Sequence, residues 1–442
     1  MHFEDFNLHP AVAAGVRSAG FASPTPIQAQ AIPPVMKQRD VMGLAQTGTG
    51  KTAAFALPIL HRLVKKQHQH PRALIVAPTR ELAEQIEQAV KTLGRKTRLK
   101  TATIYGGVNI NGQVQKLKRG VDIVLACPGR LLDHAGRGTI DLSRIEVLVL
   151  DEADQMFDMG FLPDIRRILK YLPQERQNLL FSATMPAQVR GLVKDILCNP
   201  VAVQLGNAVP AETVSHALFP VAAHLKTPLL LTLLERTRAD AILVFTRTKH
   251  RAKRLGEKLA RAGFRSASLQ GNLSQVRRQA ALDGFRKGTF QILVATDIAA
   301  RGIDVRKVSH VINYDIPSTP EAYIHRIGRT GRAANSGEAF TLITGEDSKM
   351  VSAIDRAIGS PIERRTIEGF DYGTGPVARA FKAAAADRRP ASRRSRTKST
   401  RARPGATTGV FAPLFAQDAN SPKPRRRKRT RACGTRLKKA AG

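Results

Sequence analysis

Val147-Leu148-Val149-Leu150 is apolar at four consecutive positions, and a strand that is apolar on both faces must be covered by helices on both. The pattern recurs. "DVMGLA", "RALIVA", "DIVLA", "VLVLD" and "NLLFSA" come first, and "AILVFT", "SASLQ", "QILVAT", "HVINYD" and "EAFTLIT" follow after about residue 213, with longer helical stretches between them. This alternation specifies an α/β fold built on parallel sheets, and 442 residues suit two such domains plus a tail.

The segment "LGNAVPAETVSH" is polar, contains Gly and Pro, and interrupts the βα rhythm. It divides the chain into an N-terminal domain over residues 1–205, a linker over 206–213 and a second domain over 214–370. The halves are then free to move against each other. Residues 371–442 hold 20 Lys or Arg and 3 Asp, a charge density about five times that of the rest. Their Ala, Arg, Ser and Pro bias cannot bury a core, so a disordered tail is expected.

The whole chain carries 71 Lys and Arg against 35 Asp and Glu, a net charge of +36. Such an excess implies a polyanionic partner, nucleic acid first. A membrane surface would require an amphipathic or lipidated segment, and none is visible. Cys127, Cys198 and Cys433 lie far apart without CxxC spacing, which fits no zinc site. "MHFEDFNLHP" has no basic leader character, and no apolar run approaches the roughly 18 residues of a membrane span. A soluble, cytoplasmic protein without membrane attachment is expected.

"AQTGTGKT" follows a strand and opens a helix, the context in which backbone N–H groups converge on phosphate. Ala45, Gln46, Thr47, Gly48, Thr49 and Gly50 would cradle the nucleotide, Lys51 would reach its terminal phosphates, and Thr52 would hold Mg2+. Ala45 departs from the pattern, since it stands at the first Gly position. "VLVLDEAD" ends a buried strand in carboxylates, where metal and water must be organised. Asp151 would hold Mg2+ through water, and Glu152 would orient or deprotonate the attacking water.

From about Phe3 to Ile367 the chain resembles a DEAD-box RNA helicase of superfamily 2, two RecA-like domains in tandem. "GFASPTPIQ" resembles the adenine-reading Q motif, with Phe3 17 residues before Gly20. "PTREL", Gly106-Gly107, "CPGR" and "SAT" match motifs of the first domain. "VFTRT", "QGN", Gln275 with Arg278, "ATDIAARGID" and "HRIGRTGR" follow in family order. "GGVN", "GRLLDH" and "DMGF", with the basic tail, are most similar to the bacterial RhlE-type branch. Cys127 stands where the family usually has Thr, so a hydroxyl for an RNA phosphate is missing.

The resemblance implies an RNA-dependent ATPase that locally unwinds or remodels RNA duplexes and RNA–protein complexes. ATP and RNA together would close the two domains, with Mg2+ as the metal. Phe3 and Gln28 would meet the adenine, Asp304 the ribose, and Arg329 and Arg332 would be arginine fingers from the second domain. His325 and Arg326 would link to the segments of Asp154, Ser182 and Thr184. RNA would lie on Thr79, Arg80, Gly107, Gly129, Arg130, Gly271, Arg278 and Thr296, held by its sugar-phosphate backbone. The tail would add salt-sensitive affinity for RNA, and ribosomal or RNA-degradation assemblies are the partners the family suggests. Two other readings share these features: an ATP-switched RNA clamp, and an RNA chaperone acting through the tail.

Overall fold

The computed structural model describes residues 1–45, 48–65, 68–204, 214–237, 239, 241–300, 308–331 and 337–373. Gln46, Thr47, Asp304, Arg332, the expected linker and the tail beyond residue 373 lie outside them.

Among the described residues, thirteen strands form two sheets, and every strand pair is parallel. The first comprises Val41–Leu44 (β1), Ala73–Val76 (β2), Thr101–Ile104 (β3), Ile123–Ala126 (β4), Val147–Leu150 (β5), Gln177–Ser182 (β6) and Val201–Gln204 (β7). Its order is β3-β4-β2-β5-β6-β1-β7. The second comprises Val214–Pro220 (β8), Ile242–Phe245 (β9), Ser266–Leu269 (β10), Ile292–Ala295 (β11), His310–Asn313 (β12) and Gly337–Ile343 (β13), in the order β10-β11-β9-β12-β13-β8.

The continuous apolar runs are explained by where alternate side chains go. Val147 and Val149 enter one core with Phe55 and Phe181, while Leu148 and Leu150 enter the core on the opposite face with Met156 and Ile165. Ile242 and Val244 separate from Leu243 and Phe245 in the same way. Each fully buried side chain of this size contributes about 1.5–3 kcal/mol relative to exposure, so neither face of these strands can turn polar. Order continues slightly past the expected end of the second domain: the Tyr372 hydroxyl accepts from the Ile367 N–H at 2.8 Å, and its ring meets Phe370 edge-on. No described helix is long and apolar enough to cross a membrane.

In a parallel sheet the loops after the strands share one edge, and strand order decides which loops are neighbours. The adjacent strands β5, β6 and β1 deliver Asp151 to Asp154, Ser182 to Thr184, and the phosphate loop. The adjacent strands β3, β4 and β2 deliver Gly106-Gly107, Cys127 to Arg130, and Thr79-Arg80. One sheet edge is therefore split into a carboxylate-and-phosphate-loop portion and a glycine-and-arginine portion.

Candidate functional site

The phosphate loop ends at Gly50, whose φ of +95° is open to glycine but strained for other residues. A side chain here would also collide with Gln28, because an added Cβ would lie 2.4 Å from its Nε2. Gln28 is 2% exposed. Its Nε2 donates to the Gly50 carbonyl at 3.1 Å, and its Oε1 accepts from the Thr25 N–H at 2.9 Å. The residue expected at the adenine is thus also a strut between the Q motif and the phosphate loop. Ala45, the departure from the motif, packs in the core while its N–H continues the ladder to the Ser182 carbonyl. Its side chain serves packing.

Lys51 opens the helix Lys51–Leu63 and is 5% exposed, yet its Nζ finds no hydrogen-bond partner among the described residues. A buried ammonium without an acceptor is costly unless an anion joins it. It lines a cavity of about 870 Å³ with Gly48, Gly50, Thr52, Asp151 and Glu152. Burial pushes Asp151 up to about 6, against the pull of Lys51 and with the help of Glu152. A cation beside these carboxylates would reverse that cost, so the donor set suits a hard divalent metal. Glu152 sits in the left-handed region at φ +54° and caps the short helix Ala153–Asp158. Its N–H donates to Asp151 Oδ1 at 3.0 Å.

Asp154 joins three segments. Its Oδ2 accepts from the Thr184 N–H at 2.8 Å and the Thr184 hydroxyl at 2.9 Å, and its own N–H reaches Ser182 Oγ at 3.2 Å. From beyond the second sheet, His325 Nε2 stands 3.4 Å away. Burial alone would raise this carboxyl; the facing His325, Lys51 and Thr184 outweigh it and hold the group well below the usual range.

The second-sheet arginines divide into two kinds. Arg329 is 6% exposed and lines a small cavity with Gln155 and Asp158 of the first sheet's helix and with His325. Arg326 is engaged within its own domain. It pairs in a two-pronged contact with Asp297, donates to Asn313 Oδ1 at 3.0 Å and the Asp315 carbonyl at 2.7 Å, and lies over the Phe245 ring. A guanidinium 3% exposed must satisfy its donors nearby, so Arg326 braces its own domain, and it lines the small cavity beside Gln155 and Asp158 of the Asp154 helix.

Phe3 is set back from the large cavity. It packs edge-on against Phe6 and Phe21, ring centres 5.9 and 5.8 Å apart, and Phe21, 37% exposed, is the aromatic that lines the large cavity. Phe3 stands behind it. The signal was available, since Phe21 lies inside the quoted "GFASPTPIQ".

Across the other portion of the edge, Thr79, Arg80, Gly129, Arg130, Gly271 and Arg278 line a cavity of about 540 Å³. Gly107 adjoins it at φ +77°, where an added Cβ would strike the Arg80 guanidinium. Thr296 follows β11, its carbonyl accepting from the Ala300 N–H at 2.9 Å. The arginines here are already partly engaged. Arg80 donates to Gln275 Oε1 at 3.0 Å, and Arg278 pairs with buried Glu81 and donates to the Ala299 carbonyl at 2.6 Å. The Arg80–Gln275 and Arg278–Glu81 contacts cross between the sheets. Arg130 donates to the Val108 carbonyl at 3.2 Å, steadying the glycine loop.

His134, visible in the sequence within "GRLLDH", steadies the same loop from behind. It is fully buried, and burial lowers its pKa. Gln113 donates to the Tyr105 carbonyl at 2.9 Å and offers Oε1 to His134 Nε2 at 3.1 Å. Cys127 is partly buried, and burial pushes its thiol up to about 12; it begins the helix Pro128–Gly136 without a side-chain capping bond. Cys127→Thr should supply both a cap worth about 1 kcal/mol and a phosphate donor. Calorimetry and RNA titration should show a melting point a few degrees higher and RNA binding tighter by a few-fold, about 1 kcal/mol for one hydrogen bond. Unchanged RNA affinity would remove position 127 from the RNA surface.

Residues 25–192 match the DEAD/DEAH box helicase family, and residues 225–334 match the helicase conserved C-terminal domain. The chain is 44% identical over 362 residues to the DEAD-box ATP-dependent RNA helicase RhpA of Helicobacter pylori, covering 82% of this chain and 73% of that one. It is 41% identical over 363 residues to CshA of Bacillus subtilis, with the same two shares. Among solved structures, Saccharomyces cerevisiae Dbp5 bound to RNA and ADP BeF3 overlays with a TM-score of 0.75 at 32% identity, covering 83% of this chain and 95% of that one. The expected pair of RecA-like domains therefore holds, and with relatives this similar across both sheets, the chain belongs to the DEAD-box ATP-dependent RNA helicases.

Proposed function

We propose that this helicase assembles its ATP-hydrolysing site only when its two sheets close on nucleotide and RNA together, and that the closed form locally separates or remodels RNA. Asp154 carries the reading: one buried carboxylate is held by Thr184 of its own domain and faced by His325 of the other. A linker over residues 206–213 would let that contact make and break.

In this reading Lys51 neutralises the terminal phosphates, and Glu152 orients the attacking water and takes its proton. Arg329, with Arg332, stabilises charge that develops in the transition state. Gln28 and Phe21 hold the base, and Asp304 the ribose. Thr52 and Asp151 are the residues that would hold Mg2+, which when bound supplies positive charge across the phosphate oxygens. Thr79, Gly107, Gly129, Gly271 and Thr296 offer main-chain and hydroxyl groups to a sugar-phosphate strand, so RNA is held largely independently of sequence, and 2′-OH contacts favour it over DNA. Family resemblance supports placing this work in the cytoplasm, on ribosomal or RNA-degradation assemblies.

Glu152→Gln tests the centre of this scheme. The amide keeps shape and removes the proton acceptor, so hydrolysis should slow by about 10²–10⁴-fold, while ATP binding persists and the protein stays on RNA. Single-turnover hydrolysis beside nucleotide titration checks it. A loss of nucleotide affinity in place of rate would give Glu152 another role.

The tail should anchor RNA without joining the chemistry. Because Tyr372 still packs on Phe370, the informative truncation removes residues 374–442. For every phosphate that the tail neutralises, its removal should lower the slope of log affinity against log salt by about 0.7 on single-stranded RNA, with ATP turnover at saturating RNA little changed. An identical slope in the truncated protein would show that the tail does not touch RNA.

A further inference from the structure

The helix Lys249–Arg261 carries Lys249, Arg251, Lys253, Arg254, Lys258 and Arg261 against one acid, Glu257. Its apolar positions Ala252, Leu255 and Leu259 are buried in the core, so the helical period turns the cations outward. All six are exposed. Among the described residues, the ion pairs offsetting them are Arg251 with Asp315 and a loose Lys253–Glu257 contact at 3.9 Å. Like charges at helical spacing repel, so packing gives no reason for this face.

A cavity of about 320 Å³ opens along it, lined by Arg251, Arg254 and Lys258, and among the described residues no carboxylate contributes to its wall. Tyr314 and Thr227 close its back, their hydroxyls 2.9 Å apart. Behind Tyr314, buried Lys226 donates to its carbonyl at 3.1 Å and adds further positive charge. At the start of the helix, Lys249 Nζ donates to Asn272 Oδ1 at 3.1 Å, and the neighbouring Gly271 lines the RNA-facing cavity between the sheets. The start of the basic helix therefore adjoins a loop of that cavity.

We propose that this face is a second RNA track: the strand leaving the interdomain cavity passes the start of the helix and runs its phosphates along Arg254 and Lys258, and one phosphate seats before Tyr314 and Thr227. The inference rests on the placement of RNA given above. Thirteen helical residues span about 20 Å, enough for several nucleotides, and point charges on a ridge grip the backbone without reading bases. An acidic protein would gain nothing from a face that begins at the RNA cavity, which is why the strand is the favoured occupant.

Arg254→Glu combined with Lys258→Glu in the full chain tests it; Arg251 is left in place because Asp315 pairs with it. Binding of single-stranded RNA of increasing length is measured by fluorescence anisotropy across a salt series, with thermal melting as a fold control. The shortest oligonucleotide that still stimulates ATP hydrolysis should bind the variant as it binds the unaltered protein. Longer strands should bind about tenfold more weakly, with a salt slope lower by about 1.4 because two phosphates are no longer neutralised. The charge-keeping pair Arg254→Lys and Lys258→Arg should retain both properties. Equal affinity and slope at every length overturn the track, as does a loss already complete on the shortest RNA, or a variant that binds RNA normally but loses an acidic protein. Failure of short RNA to stimulate the unaltered protein would instead strike the placement of RNA between the sheets.

Discussion

Lys51→Ala should take RNA-stimulated ATP turnover to background without lowering the melting temperature of the nucleotide-free protein. The two halves of this result have one cause. A buried ammonium with no hydrogen-bond acceptor among the described residues is a burden on the empty fold, where the effective cost of an uncompensated ion is about several kcal/mol. The same ammonium becomes favourable once phosphate oxygens reach it. Alanine removes both effects. Asp151, already raised to about 6 by burial, loses the Lys51 charge that opposes this shift and rises further. Loss of one preorganised electrostatic contact is worth at least about 10²–10³ in rate, and here nucleotide binding should weaken as well. Turnover assays and thermal melting with and without ATP measure both arms. Saturating nucleotide should stabilise the unaltered protein by about 2.7 kcal/mol at 100 times its Kd, and the variant hardly at all. Normal turnover in a demonstrably pure variant would refute the phosphate-loop assignment, and a collapsed melting point would make Lys51 a structural residue.

Arg329→Ala should reduce maximal RNA-stimulated hydrolysis by about 10³–10⁵-fold, the range an arginine finger can supply, while nucleotide binding changes little. Arg329 is placed for this, buried beside Gln155, Asp158 and His325 where the sheets meet. Arg326, three residues earlier, provides the contrast. Its donors are engaged within the second domain by Asp297, Asn313 and Asp315, so Arg326→Ala should act on stability, near the low end of about 3–5 kcal/mol because Asp297 keeps access to water. The decisive measurement is ATPase rate against RNA concentration, alongside denaturant unfolding. An Arg329→Ala protein whose maximal rate recovers at saturating RNA would mean that the side chain binds RNA and does not complete the catalytic site.

The doubly buried strands were legible because both of their faces are apolar, as in Val147–Leu150 and Ile242–Phe245. The strands β3, β7 and β8 were not, and all three lie at sheet edges. β7 exposes Ala202 and Gln204, and β8 begins at Val214, within the polar stretch "LGNAVPAETVSH" directly after the linker, so neither shows the continuous signature. The motifs were legible in order because each follows a strand at the same sheet edge. Partners were not. Sequence named Arg278 and Arg326 as functional arginines, but their engagement with Glu81 and Asp297 depends on which helices face each other. Phe3 and Phe21 are both aromatic and near the Q motif, and only packing decides which lines the cavity.

The position of β1 between β6 and β7 has a consequence for the protein during its own synthesis. The strand that leads into the phosphate loop pairs with Gln177–Ser182 and Val201–Gln204, so its hydrogen-bonding partners are translated about 130–160 residues after it. At ribosomal rates of about 5–20 residues per second, that leaves β1 with both edges open for roughly 7–30 s. The departing strand β8 waits similarly, since its neighbour in the sheet is β13, Gly337–Ile343. A nascent chain halted inside the first interval cannot hold ATP, and one halted inside either displays apolar edges that pair with other chains. Ribosome stalling within residues 45–200 should therefore yield material that chaperones must shelter, whereas a stall beyond the second sheet releases a competent enzyme.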